Sequence, residues 1–171
     1  MGPKLRCPEK QLRLFASRYQ YLPEENTVIG LRTIIMSRGY MEKDELRIIA
    51  HWKAPRSVGR MENNSADYVR EITKLSLGAT TERARVEILT NLDGVQWPTA
   101  SVILHFFHKD PYPIIDFRAL WCVSLAVPTQ YSFDFWWPYV EYCRDLSKRI
   151  NIDMRTLDRA LWQYSKENQN T

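Results

Sequence analysis

The spacing of the apolar residues restricts the fold of this sequence more than any other feature. Apolar side chains recur every three or four positions in segment after segment, as in the stripe Met154, Leu157, Leu161 and Tyr164. This spacing places them on one face of an α-helix, whereas a half-buried strand needs strict alternation, which is scarce here. The pattern therefore predicts an all-α protein of about eight helices without a long linker.

Capping residues and helix breakers indicate where these helices begin and end. Ser65 and Asp116 stand where a side chain can cap a first turn, and Pro98 suits a first turn itself. Pro55 prevents the preceding helix from continuing, and the polar stretch 23–26 is expected to end the first helix. Counted separately, the predicted helical segments are nine, at residues 8–22, 27–36, 43–53, 66–77, 80–92, 98–108, 116–126, 132–150 and 153–167.

Length and composition limit the protein to a small globular class. The chain has 171 residues, of which 44% are hydrophobic and 26% charged, so one compact domain or two small lobes are expected. A disordered or fibrous protein is excluded. No apolar run reaches the length of about 18 residues that a membrane span needs, and the first seven residues contain no apolar signal core. We therefore expect a soluble, cytoplasmic protein with no membrane partner.

The distribution of charge indicates a class of binding partner, and the spacing of the cysteines limits the metal and disulfide sites that the chain can form. Residues 1–60 hold 12 Lys and Arg against 6 Asp and Glu, although the whole chain carries only +4. A basic first third is compatible with a polyanion such as a nucleic acid. Cys7, Cys122 and Cys143 match no disulfide, zinc or iron–sulfur spacing, and no pair of histidines has a third ligand at usable spacing. The sequence therefore predicts no metal site built from side chains.

Two short motifs carry the most specific signal in the sequence. Residues 92–100 read LDGVQWPTA between two predicted helices, and residues 113–118 read PIIDFR, with Asp116 placed 22 residues after Gly94. Together they resemble the helix-hairpin-helix DNA glycosylases. The hairpin of that family has the form Leu-Pro-Gly-Val-Gly-x-x-Thr-Ala, and a catalytic Asp follows it. The detailed match covers residues 88–120.

The resemblance implies a two-lobed, all-α, DNA glycosylase-like domain that spans residues 1–171. The hairpin would lie at about residues 81–108 and the loop of the catalytic Asp at 109–118. The amino-terminal and carboxyl-terminal helices would then pack together as the second lobe.

The hairpin predicts how DNA would be held. Backbone N–H groups in such a turn, together with the start of the next helix, can bind a phosphate oxygen without reading the base. The resemblance therefore implies duplex DNA with a damaged or modified base as the partner. It assigns the backbone contact to five residues of the turn: Gly94, Val95, Gln96, Trp97 and Thr99.

Asp116 is the residue to which the resemblance assigns catalysis. A glycosylase extrudes its target nucleotide, and cleavage of the bond from base to sugar builds oxocarbenium-like positive charge on the sugar. A fixed carboxylate beside the sugar stabilises that charge and can orient the attacking water. From its position before a helix alone, Asp116 would be read only as an N-cap.

Two departures from the family pattern refine the predicted activity. Members that also cleave the strand carry a Lys just before the Thr-Ala pair, and Pro98 occupies that position here, so no amine nucleophile is available. Gln96 stands where the family has its second Gly, and its side chain either tolerates the turn or hinders the phosphate. No four-cysteine cluster is present, so no iron–sulfur centre or organic cofactor is expected. The resemblance does allow a monovalent cation at the hairpin carbonyls.

Five further residues are candidates for contacts with DNA or with the extruded base. Arg118 could touch a phosphate near the flipped nucleotide, or it could be an ordinary solvated arginine. Arg38 or Tyr40 could fill the gap left by flipping, although a plain helix-ending turn is the alternative. Trp52 and Lys53 could line the base pocket, since aromatic faces stack on bases, although a core position is the alternative for Trp52 as for the other tryptophans.

The sequence thus favours a monofunctional DNA glycosylase that hydrolyses the N-glycosidic bond and leaves an abasic site, as in base excision repair. The competing hypotheses are a catalytically inactive helix-hairpin-helix module that only binds DNA, and a helical adaptor that binds other proteins. The sequence does not distinguish among an alkylated purine, a mismatched or deaminated pyrimidine and a bulky modified base.

Overall fold

The architecture was taken from a computed structural model, which describes residues 2–169. Helices and turns make up this part of the chain, with no strand in it, so the all-α prediction is confirmed. None of these helices is both long and apolar enough to cross a membrane. The helices are α1 (Leu12–Arg18), α2 (Pro23–Gly30), α3 (Arg32–Arg38), α4 (Lys43–Lys53), α5 (Val58–Met61), α6 (Ala66–Gly78), α7 (Glu82–Leu89), α8 (Trp97–Phe107), α9 (Phe117–Cys122), α10 (Phe133–Arg149) and α11 (Met154–Asn168).

Side-chain caps begin many of these helices, as the sequence predicts. Each capping oxygen accepts a hydrogen bond from the backbone N–H three positions later, which satisfies one of the N–H groups that a helix start leaves without a partner. The helix α4 begins with a reciprocal capping box, in which Glu42 and Glu45 each bind the other's backbone N–H. The simple caps are Ser65, Thr81, Asp116, Ser132 and Asp153.

Several predicted boundaries are wrong, and three of them have a clear physical reason. Pro23 occupies the first turn of α2 instead of ending a helix, because proline's missing N–H is harmless at that position. The expected helix 27–36 is divided at Leu31 between α2 and α3. The helix after Asp116 ends at Cys122 rather than near residue 126, since Ser124 adopts a left-handed conformation with φ +57°.

The chain forms two compact units. Unit 1 comprises residues 1–20 and 111–171, and unit 2 comprises residues 21–110. In unit 1, α11 packs against α1, α9 and α10. The Phe15 ring meets the edge of Tyr164 at 5.0 Å, and Arg18 pairs with Glu167 at 2.9 Å. The chain before α1 is tied to the end of α9, because the N–H of Arg6 donates to the carbonyl of Cys122.

Unit 2 is organised around α8. Every residue of α8 from Thr99 to Phe107 is buried, so this helix is surrounded by protein rather than lying at the surface with one apolar face. It packs against α3, α4 and α7. Because α7 and α8 are joined by the short segment 90–96, they form a helical hairpin whose turn is fixed by the same core.

Candidate functional site

The turn of the hairpin depends on Gly94. This residue is buried and has φ +82°, in the left-handed region that favours glycine. A Cβ at this position would lie 2.7 Å from Cγ of Met61 and 2.9 Å from the carbonyl oxygen of Ser57. Gly94 is therefore required both by its backbone angle and by the close approach of the segment that contains α5.

Asn64 clamps the same turn through two hydrogen bonds to Asp93. Its Nδ2 donates to the carbonyl of Asp93 at 3.0 Å, and its Oδ1 accepts from the N–H of Asp93 at 2.9 Å. The side chain of Asn64 is buried, so these bonds replace water that the turn would otherwise bind. The segment 57–64 thus holds the hairpin turn in one conformation, and sequence reasoning did not identify this role of Asn64.

The five turn residues assigned to DNA contact differ in accessibility. Val95 and Thr99 are buried, and the N–H of Val95 donates to the carbonyl of Leu92 at 3.0 Å. Gln96 is exposed and precedes α8 without a side-chain cap, while Trp97 is half-buried. Of these five residues, Gln96 therefore has the most accessible side chain, and the buried ones fix the shape of the turn.

Two carbonyls of the turn already accept a hydrogen bond. The carbonyl of Leu92 accepts from Val95, and the carbonyl of Asp93 accepts from Asn64, so each has one lone pair engaged and one remaining. A monovalent cation at these carbonyls therefore stays a prediction. Within residues 2–169, no three His, Cys, Asp or Glu side chains are grouped closely enough to hold a metal ion.

Asp116 lies in unit 1, at the end of a buried loop. The ring of Tyr112 stacks on that of Trp136 with the centroids 5.8 Å apart, and the hydroxyl of Tyr139 donates to the carbonyl of Ile114 at 2.9 Å. Arg144 donates to the carbonyl of Pro111 at 2.8 Å. These contacts fix the backbone that leads into Asp116.

The carboxylate of Asp116 is the N-cap of α9. Its Oδ1 accepts from the N–H of Ala119 at 2.9 Å, and the side chain is neither fully buried nor fully exposed. The hydrogen bond fixes the carboxylate while the residue remains partly accessible. The N-cap reading from the sequence is therefore correct, and this position is also compatible with contact to a ligand.

Tyr131 belongs to the surroundings of Asp116, although the sequence did not point to it. Burial, and then the carboxylate of Asp116, raise the pKa of Tyr131 above its ordinary value of 10.0. The phenol consequently stays protonated at neutral pH and can donate a hydrogen bond. Its ring meets the edge of Phe135 at 5.9 Å, at the start of α10. Asp116 and Tyr131 are 15 positions apart, and no motif in the sequence between them predicts that they interact.

Arg118 is directed toward α11. Its guanidinium lies 5.3 Å from the ring centroid of Trp162 and 5.0 Å from that of Phe117, and it donates to the hydroxyl of Ser165 at 3.5 Å. Phe117 is 52% exposed, which makes it one of the most accessible large apolar side chains described. Arg118 is thus not a freely solvated arginine, because its guanidinium packs on the rings of Phe117 and Trp162.

Arg38 and Tyr40 are brought together in unit 2. Arg38 ends α3, pairs with Glu45, and donates from Nε and Nη2 to the carbonyl of Tyr40 at 3.1 and 3.0 Å. Its guanidinium also stacks on the Tyr40 ring at 4.7 Å. Gly39 provides the left-handed cap of α3 with φ +80°. These contacts match the helix-ending turn that the sequence offered as the alternative to a DNA wedge.

Trp52 and Lys53 lie at the end of α4. Both are half-buried, and the Trp52 ring meets the edge of Phe106 at 5.8 Å, so part of the indole packs on α8. One part of the Trp52 ring is therefore packed against the core, and another part is accessible to solvent. This placement is compatible with either the core or the pocket interpretation.

A comparison of the chain with known protein families finds no matching family model, and comparisons with curated proteins and with solved structures find no match either.

Proposed function

We propose that this protein is a monofunctional DNA glycosylase, which extrudes an abnormal base from duplex DNA and hydrolyses its N-glycosidic bond. The proposal rests on the resemblance of residues 88–120 to the helix-hairpin-helix DNA glycosylases. The fixed carboxylate of Asp116, 22 residues after Gly94, is the observation that carries it. The buried, left-handed Gly94 in a turn between two helices is consistent with the same motif.

The hairpin is proposed to hold the DNA backbone. The first turn of α8 presents backbone N–H groups that have no partner within the helix, and Pro98 contributes none of its own. A phosphate oxygen placed there would meet these donors and the positive end of the helix dipole. Because backbone N–H groups recognise no base, this contact positions the duplex without selecting a sequence.

Asp116 is proposed to act on the sugar of the extruded nucleotide. As the bond from C1′ to the base breaks, the base leaves with the electron pair and positive charge develops on the sugar. The carboxylate stabilises that charge and accepts a proton from the water whose oxygen bonds to C1′. Pro98, in place of a lysine, leaves no amine to attack the sugar, so the product is an intact strand with an abasic site.

A strand-cleavage assay tests the proposal. The protein would be incubated with a panel of duplexes that each contain one modified or mismatched base, and abasic sites would then be cleaved with hot alkali. We expect cleavage of at least one duplex, and a loss on the order of 10³-fold for Asp116→Asn, because the amide cannot stabilise the charged sugar. Asp134→Asn is the matched control, since Asp134 is an exposed acidic residue in the first turn of α10.

Three results would contradict the proposal or a part of it. Equal cleavage by the wild type and Asp116→Asn would remove Asp116 from the reaction. Binding to duplex DNA without cleavage of any duplex in the panel would favour the inactive DNA-binding module instead. Strand cleavage without alkali would contradict the monofunctional assignment.

A further inference from the structure

The segment that clamps the hairpin turn also carries a basic cluster. Residues 51–61 contain Lys53, Arg56 and Arg60 and no acidic residue. The next acidic residue, Glu62, forms ion pairs with Arg47 and Lys43. The hydrogen bond from Arg47 contributes most, together with Lys43, to lowering the pKa of Glu62 to about 2. Glu62 is thus engaged away from the cluster.

Arg56 and Arg60 are exposed and lie next to the hairpin turn. Arg56 is part of the 3₁₀ turn Pro55–Ser57, and the carbonyl of Ser57 is the atom that would lie 2.9 Å from a Cβ on Gly94. Arg60 donates from Nη2 to the hydroxyl of the same Ser57 at 3.4 Å. No described carboxylate pairs with Arg56 or Arg60, which distinguishes them from most arginines of unit 2.

We infer that Arg56 and Arg60 bind the sugar–phosphate backbone of duplex DNA beside the hairpin turn. The inference rests on the proposed function in taking DNA as the ligand, and it adds side-chain contacts to the backbone contact proposed above. Guanidinium groups match phosphate in charge and in hydrogen-bond geometry, and two exposed ones beside a fixed turn give a site with a defined position.

One opposing charge belongs to the same surface. The carboxylate of Asp93 is exposed in the turn, and no described side chain pairs with it. A phosphate bound by Arg56 and Arg60 would be repelled by this group. The inference therefore predicts opposite effects for two kinds of substitution: removing an arginine weakens DNA binding, and neutralising Asp93 strengthens it.

A matched pair of lysines provides the control. Lys74 and Lys109 are exposed, have no described ion pair, and line the same cleft as Phe107 at the other end of α8. The helix has 11 residues, which makes it about 16 Å long. The double variant Lys74→Ala/Lys109→Ala thus removes the same charge from unit 2 as Arg56→Ala/Arg60→Ala, but away from the hairpin turn.

The experiment measures fluorescence anisotropy of a short unmodified duplex at several salt concentrations. For Arg56→Ala/Arg60→Ala we expect affinity to fall roughly tenfold for each arginine at low salt, and the slope of log K against log salt to decrease by about 2. Asp93→Asn should tighten binding a few-fold. The lysine control should leave the affinity within about twofold of the wild type.

The outcomes separate this inference from the proposed function. Equal losses in the arginine and lysine double variants, an unchanged slope in the arginine variant, or weaker binding by Asp93→Asn would each overturn the inference. The strand-cleavage assay judges the glycosylase assignment independently. If the protein binds DNA through Arg56 and Arg60 but cleaves no duplex, the DNA-binding site inferred here is supported and the glycosylase assignment is wrong. Circular dichroism of each variant verifies its fold.

Discussion

The two candidate positions of the molecule are held by different forces. In unit 2, Gly94 is fixed by close packing against Ser57 and Met61, with no room for one more carbon atom. In unit 1, Asp116 is fixed by hydrogen bonds, from Ala119 to its carboxylate and from Tyr139 to the loop before it. Packing tolerates almost no change of size, whereas a hydrogen bond survives any substitution that keeps its acceptor.

The units also differ in how they place their charges. Unit 1 holds 12 Lys and Arg against 8 Asp and Glu, whereas unit 2 holds 12 of each, so the net charge of +4 belongs to unit 1. Several arginines of unit 1 stack on aromatic rings, such as Arg6 on Trp121 and Arg144 on Tyr112. Many arginines of unit 2 instead pair with carboxylates, as Arg70 does with Glu42. A neutral unit can therefore still present exposed arginines without a described carboxylate partner, Arg56 and Arg60, which the net charge of the unit does not reveal.

The largest expected effect is on the packed position. Gly94→Ala should reduce the free energy of unfolding by about 2–4 kcal/mol, because it adds a steric clash with Ser57 and Met61 to the cost of a left-handed alanine. Gly39→Ala is the matched control, with φ +80° and no atom within 4 Å of the added carbon, and should cost only about 1–2 kcal/mol. Urea unfolding measures both. Equal losses would show that conformation alone, rather than packing, determines the need for glycine at the turn.

Substitution of Asp116, the hydrogen-bonded position, should have an intermediate effect on the free energy of unfolding. Asp116→Ala removes the cap of α9 and should cost about 1 kcal/mol, whereas Asp116→Asn keeps an acceptor and should cost less. Thiol labelling offers a local measurement, because Cys122 lies at the other end of α9. Burial raises the pKa of Cys122 to about 12, so the native protein should react slowly. We expect Asp116→Ala to accelerate labelling of Cys122 more than Asp116→Asn does, and identical rates would contradict the capping role.

The smallest expected effect is the pH dependence contributed by His108 in unit 2. Burial, and then Arg85, lower the pKa of His108 below its ordinary value of 6.5, and its Nδ1 accepts from the N–H of Asp110. The unfolded chain binds this proton more readily, so the stability contributed by neutral His108 is complete above about pH 6.5 and is lost as the pH falls. Urea midpoints at pH 7 and pH 5.5 should differ less in His108→Gln than in the wild type. An unchanged difference would assign the pH dependence to other groups.

The sequence predicts most of the helices because their signals are local. The helix α4 has the predicted bounds, and α6 and α11 agree within a residue or two, since capping residues and apolar stripes lie within the helices themselves. The break at Leu31 directly follows Gly30, a residue that often ends a helix, but the apolar run 27–36 favoured one continuous helix. The left-handed Ser124 that follows α9, in contrast, is not encoded by a residue type that favours this conformation.

The candidate site is less predictable because its contacts are not local. Asn64 clamps Asp93 across 29 positions, and no periodicity connects the two residues. The sequence identified Gly94 and Asp116 through motifs, but neither the partners that fix them nor the accessibility of Gln96 follows from the motif. The ion pair of Arg38 with Glu45 is likewise not indicated by any motif in the sequence.

The helix α1 acquires its neighbour α11 only after more than a hundred intervening residues, since unit 1 is built from both ends of the sequence. Unit 2, in contrast, is continuous. During synthesis on the ribosome, the chain of unit 2 is therefore complete while α1 still lacks the surface on which it packs. The apolar face of α1 therefore stays unpacked until α11 has been synthesised. We expect unit 2 to fold before unit 1.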